Sequence, residues 1–151
     1  MIRPNSPTIL KRVIGKTCGS NAVVAIDTNI IIRFVMRDDE AQYQASYEIF
    51  LSEEVYIPDT VILEVEWVLR YAYDFSPAAI CQALRKIFGL KNVHLNNAQR
   101  IAQVITWHEA GLDFADAFHL AQSQQCQALK TFDEKFVKRA KKLSSCMVQK
   151  P

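Results

Sequence analysis

At 151 residues, half of them hydrophobic and 23% charged, the chain is long enough to bury a core of its own and too apolar to be a disordered tail. No apolar run reaches the length of a membrane span, and the first 21 residues lack the apolar core of a secretory signal, so the chain reads as cytoplasmic. The net charge of +2 hides a polarity: residues 1–21 carry four basic side chains and no acid, 130–151 carry seven against two, and the stretch between them seven against fourteen. An acidic centre between basic ends suits cation binding beside a polyanion, and equally suits a solvated helical surface.

Cys18, Cys81, Cys126 and Cys146 lie far apart with no CxxC pair, which argues against a disulfide framework or a zinc knuckle. His94, His108 and His119 have no metal-ligand spacing and read as ordinary surface or packed residues.

Taken in order, residues 1–21 hold Pro4, Pro7, Gly15 and Gly19 without a sustained period and read as a basic leader, mobile or non-native, ahead of a single domain over 22–151. Ala22 to Ile26 is a run of small and β-branched residues, the pattern of a buried strand, and it stops at Asp27. Ile30 to Met36 then continue as a short helix, so Asp27 sits at a strand-to-helix junction, where sites form in parallel α/β sheets. Capping explains Asp27 or Thr28 about as well. After a polar break at Arg37–Asp39, a roughly helical pattern with Ala41, Ala45, Tyr47, Ile49, Phe50 and Leu51 covers 40–52.

Val55 to Ile57 predict a second strand closed by Pro58, and Asp59 or Thr60 can cap a helix reaching about Tyr73. Val61, Ile62, Val65, Val68, Leu69 and Ala72 form its apolar face, with Glu64 and Glu66 on opposite shoulders as solvated boundary residues or ligands; helical phase does not choose between them. Ser76 and Pro77 open a helix ended by Gly89. Val93 to Leu95 form a weak third strand, and a helix from about Asn97 to Ala110 is stopped by Gly111.

In the stretch GLDFADAFHLAQ, Asp113 and Asp116 are three apart on one helix face near its N-terminus. Asp113 is read first as an N-cap. Asp116 lies inside an otherwise apolar helix between Ala115 and Ala117, where capping accounts for it poorly and a partner is needed. Ala128 to Phe132 read as a strand running into TFDEKF, so Asp133 is another carboxylate at a strand end, or a cap for the helix carrying Phe136, Val137 and Ala140. A last strand falls around Cys146 to Val148.

Alternating short strands and helices imply an α/β sandwich with a mostly parallel sheet, whose chemistry gathers at the C-terminal edge, where Asp27 and Asp133 fall. If the helices bearing Glu64 and Asp116 also start there, four carboxylates converge with no basic residue placed to neutralise them. A divalent cation is the simplest remedy. Oxygen-only ligands favour Mg²⁺ or Mn²⁺ over zinc.

The segments VAIDTNIIIRF, VILEVEWVLR, LDFADAFHLAQ and LKTFDEKF, in this order, resemble the PIN-domain ribonucleases, most closely the VapC-type toxins of toxin–antitoxin modules, from about residue 22 to the C-terminus. The resemblance implies a three-layer α/β/α sandwich. It matches Asp27, Glu64 and Asp116 to metal-binding catalytic acids and Asp133 to a fourth, more variable acidic position, so it selects Glu64 over Glu66. Asn29 and Thr131 match polar positions that orient the carboxylates and water, and Asp113 is an additional acid beside them. The leader is not part of the usual pattern. The implied chemistry is Mg²⁺- or Mn²⁺-assisted RNA phosphodiester hydrolysis by in-line attack of water, leaving a 3′-hydroxyl and a 5′-phosphate.

Arg33, Arg37, Lys135, Lys138 and Arg139 are the candidates to hold the RNA backbone. The partners implied are a cognate VapB-like antitoxin and a second copy in a homodimer, with Phe34, Tyr43, Tyr47 and Trp67 as groove residues or plain core. Two rivals remain: a catalytically idle PIN module that binds RNA or acts as a scaffold, and a phosphatase of the haloacid-dehalogenase type. The second needs a DxD pair after the first strand, and here its second position is Asn29.

Overall fold

The structure, a computed structural model, describes residues 22–151; the leader over 1–21 lies outside the described residues. Three short strands form its parallel sheet in the order β1-β2-β3: β1 (Val23–Ala25), β2 (Glu54–Ile57) and β3 (Val93–Leu95). Val24 is in register with Val55, and Tyr56 with His94. A second parallel pair joins β4 (Leu129–Lys130) to β5 (Val148–Gln149). The seven helices of the described residues complete the expected three-layer α/β/α arrangement: α1 (Thr28–Met36), α2 (Glu40–Ser52), α3 (Asp59–Tyr71), α4 (Pro77–Phe88), α5 (Ala98–Glu109), α6 (Phe114–Gln122) and α7 (Glu134–Leu143).

Most helix starts are written in short polar residues whose side chains accept the orphan amides of the first turn. Asp39 accepts from the Gln42 amide at 3.0 Å, Ser76 from Ala79 at 3.2 Å and Asn97 from Arg100 at 2.9 Å. Helix α3 departs from expectation. Neither Asp59 nor Thr60 caps it: extended Pro58 is its N-cap residue, without a side-chain bond, and Asp59 already lies in the first turn. The Asp59 carboxylate faces Asn96 and Gln122 instead, at 3.5 and 3.4 Å. The helix also ends at Tyr71, because Val68 closes its last turn against the Ala72 amide.

On α2, Phe50 and Ser46 are buried, whereas Tyr47 and Leu51 are exposed at 40% and 64%. The expected strand over 128–132 is shorter, Leu129–Lys130; Thr131 still donates its amide to Gln149 at 3.1 Å, and Phe132 turns out to solvent. The last strand, Val148–Gln149, lies slightly beyond its expected position.

The core is one cluster. Ile31 on α1, Ile57 on β2, Ile62 and Leu69 on α3, and Phe114 and Phe118 on α6 are fully enclosed. Helix α6 packs on α3 and α5, its fully buried Ala117 letting backbones come close. Two contacts fix its direction: Asp59 at the start of α3 meets Gln122 at the end of α6, and Arg70 near the end of α3 meets Asp113 at the start of α6. The two helices therefore run antiparallel.

The reversal between α5 and α6 turns on Gly111, at φ +98. No atom lies within 4 Å of where a Cβ would stand, so only backbone conformation opposes a side chain there. Gly111→Ala is expected to cost about 1 kcal/mol of stability, read as a lower urea midpoint with an unchanged slope; an unchanged midpoint overturns that account.

Candidate active site

The residues after β1 form the first part of the site. Asp27 is exposed and does cap α1, accepting the Ile30 amide at 3.1 Å. The next residue, Thr28, is buried, and its hydroxyl donates to Glu64 Oε2 across 36 positions of sequence. That contact fastens α1 to α3 and places Glu64 beside the β1–α1 junction. Glu64 and Asn29 are both exposed.

A second set of acids surrounds the start of α6. Asp113 caps the helix: its Oδ1 accepts the amides of Ala115 and Asp116 at 3.0 and 3.3 Å. Asp116 is half-buried, and among the described residues no donor bonds its carboxylate. Burial pushes its carboxyl above the usual range, the negative charges of Asp113 and Asp133 push it further, and His119 opposes them. Asp133 caps α7 through the amides of Lys135 and Phe136, at 2.8 and 3.0 Å, and its own amide donates to the Thr131 hydroxyl at 3.1 Å.

The acids thus fall into two neighbourhoods, Asp27 with Thr28 and Glu64, and Asp116 with Asp113 and Asp133, with α1 packing on α3 and α3 on α6. Of the two helices expected to start at the C-terminal edge of the sheet, only α3 does so. Helix α6 starts beside the end of α3, at Arg70, and runs back antiparallel to it.

A basic residue does stand beside the second set of acids: Arg70 lies between Glu66 and Asp113, neither of them among Asp27, Glu64, Asp116 and Asp133. Its Nε lies 2.8 Å from Glu66 Oε1, its Nη2 donates to Glu66 Oε2 at 3.2 Å, and its Nη1 is 3.7 Å from Asp113 Oδ2. Glu66, expected at a solvated boundary, is 2% exposed. Burial raises its carboxyl pKa, against the opposing charges of Arg70 and His108. His108 is buried beside it, with Nδ1 2.7 Å from the Leu112 carbonyl and Nε2 without a partner among the described residues. The i,i+4 spacing of Glu66 and Arg70 was the available sign of this pair in the sequence.

Of the five basic candidates for the RNA backbone, Arg33 is occupied by Asp38, at 2.7 and 2.8 Å, and by Gln42. Arg37 pairs with Glu40 and lies over the Tyr43 ring. Arg139 donates to the Gly111 carbonyl. Lys135 and Lys138 are exposed, with no ion pair among the described residues. The aromatic residues divide similarly: Phe34, Tyr43 and Tyr47 form a ring cluster with Phe50, whereas Trp67 pairs with Tyr71 on α3.

Among the described residues no three His, Cys, Asp or Glu side chains have the spacing to hold a metal ion. The donor chemistry nevertheless fits a hard divalent cation, since the acids offer only oxygen and Asp116 is a half-buried carboxylate whose pKa is raised by that burial and then by two anionic neighbours. The model for the PIN domain family matches residues 24–142, which includes every one of these acids. The chain belongs to the PIN domain family. No curated protein and no solved structure matches it. PIN domains are generally nucleases that act on nucleic acid with divalent metals. No helix of this PIN domain among the described residues is long and apolar enough to cross a membrane.

Asp38 gives a pH signature. Hydrogen bonds from Arg33 and then Tyr73 hold its carboxyl below the usual range. A folded-state pKa below the unfolded one contributes stability above the ordinary carboxylate range, and that contribution is lost as pH falls through the folded value. Asp38→Asn should therefore lower the Tm at neutral pH, with the gap closing in strong acid; a gap of constant size overturns the assignment.

Proposed function

We propose that this PIN domain is a Mg²⁺- or Mn²⁺-dependent ribonuclease that hydrolyses RNA phosphodiester bonds and acts as the toxin of a VapBC-type pair. The observation that carries the reading is Asp116. A half-buried carboxylate in the first turn of an apolar helix, with no donor among the described residues and beside two further acids, is expensive as a structural device and useful as a cation ligand. Its position in the third acidic segment supports the same role.

Asp27, Glu64, Asp116 and Asp133 would hold the cation. When bound, it supplies Lewis-acid polarisation of the scissile phosphate and a more acidic water. Thr28 orients Glu64 through its hydroxyl, and Thr131 holds the Asp133 backbone in its turn. Asn29, exposed in the first turn of α1, would meet water or phosphate. Lys135 and Lys138, with no ion pair among the described residues, are the preferred contacts for the RNA backbone, ahead of the paired Arg33, Arg37 and Arg139. The partners in this reading are RNA, a VapB-like antitoxin and a second copy of the chain, in the cytoplasm.

One observation favours the second reading, an idle PIN module that binds RNA: Asp27 and Asp133 both spend an oxygen on helix capping. A cap uses one oxygen of the carboxylate, and the other stays available.

A pool of structured RNAs incubated with the purified protein in Mg²⁺, in Mn²⁺ and in EDTA separates the readings. Cleavage is expected with either metal, none with EDTA, and a loss of about a hundredfold or more in Asp27→Asn and Asp116→Asn. RNA binding without cleavage in all three conditions would establish the idle module. Growth arrest on expression, absent in Asp116→Asn, tests the toxin role; normal growth with active nuclease overturns it.

A further inference from the structure

Two of the four acids sit on helices whose relative register nothing in the catalytic set itself enforces. Glu64 is on α3 and Asp116 on α6, and they lie between the two cross-helix contacts, Asp59 with Gln122 and Arg70 with Asp113. The first is a single amide contact at 3.4 Å, on an exposed Gln122. The second joins two charged groups, one of them anchored: Glu66, 2% exposed, accepts one hydrogen bond from Arg70 Nη2 on Oε2 and keeps Oε1 in ion-pair contact with Nε at 2.8 Å, which restricts where the guanidinium can point. Asp113 divides its carboxylate between the two sides, with Oδ2 towards Arg70 and Oδ1 on the amides of Ala115 and Asp116. A path of polar contacts therefore runs from a buried acid on α3 to the backbone of the metal-ligand candidate on α6.

We propose that Glu66 and Arg70 form a positioning clamp that sets the first turn of α6, and with it Asp116, against α3, the helix that carries Glu64. Asp113 is the receiving end of this clamp and not a metal ligand. Its Oδ1 is spent on two amides and its Oδ2 faces a cation, so it gives Asp116 a fixed direction and a negative neighbour while the guanidinium balances its own charge. A buried ion pair is weak support for stability, because an apolar pair of similar size does as well, but it fixes geometry that an apolar pair leaves free. Groups that orient metal ligands without touching the metal commonly influence affinity or activity by about ten- to a hundredfold.

The clamp rests on the nuclease reading only for its consequence in catalysis, and the experiment keeps the two apart. The variant to make is Glu66→Met/Arg70→Met, which removes one charge of each sign, leaves the net charge unchanged and avoids a buried orphan. Asp113→Asn, which retains a capping oxygen but weakens the pull of Arg70, is the second. Amide hydrogen exchange at Ala115 and Asp116 reads the helix start without reference to activity, Mn²⁺ affinity by electron paramagnetic resonance reads the ligand geometry, and RNA cleavage reads kcat and KM.

In the double variant, exchange at the two amides is expected to quicken about tenfold or more, Mn²⁺ to bind about tenfold more weakly, and kcat to fall by a similar factor with KM for RNA unchanged. Asp113→Asn should show the same pattern, more weakly. Unchanged exchange overturns the clamp. Faster exchange with wild-type Mn²⁺ affinity and kcat reduces it to a structural tie and also overturns the proposal. Wild-type protein that neither binds Mn²⁺ nor cuts RNA overturns the nuclease reading instead, whatever the exchange at Ala115 and Asp116.

Discussion

The packing of α3 against α6 is the constraint from which the site follows. Helix α3 starts where β2 ends, so its beginning is fixed by the sheet, and α6 lies alongside it in the opposite direction. Both helices turn apolar residues into the one core cluster, Ile62, Val65 and Leu69 from α3 and Phe114, Ala117 and Phe118 from α6, all enclosed. That shared core supplies the cohesion. The polar contacts along its margin decide how the two helices are aligned and therefore which acids meet.

Charge is arranged in the same way. An acidic stretch through the middle of the chain becomes, in three dimensions, separate neighbourhoods with different solutions. Glu66 is buried and paired with an arginine. Asp113 and Asp133 cap helices, and Asp27 does likewise at the end of β1. Asp116 alone combines partial burial, anionic neighbours and the absence of a donor among the described residues. Acids that share a sequence pattern thus differ in how far the protein itself answers their charge.

Much of the fold was legible because its boundaries rest on local chemistry. Ser76 with Pro77, Asn97 and Gly111 work within a turn of chain, and the helices they delimit agree closely with expectation. Where long-range contacts compete, local reading failed. Asp59 looked like a cap and is instead drawn to Asn96 and Gln122, and Phe132 looked like part of a strand and is exposed. Glu66 looked solvated because helical phase alone places it on a shoulder; α6 and His108 enclose that shoulder from elsewhere in the sequence.

By itself the sequence determined the alternation of strands and helices, the strand-end positions of Asp27 and Asp133, and the odd placement of Asp116 within an apolar helix. These follow from periodicity and from the cost of a carboxylate in apolar surroundings. Only the tertiary structure decided that α6 runs antiparallel to α3, that Thr28 reaches Glu64, and that Arg70 stands between Glu66 and Asp113. Each depends on the approach of segments dozens of residues apart, and helical phase describes a face without saying what will pack on it.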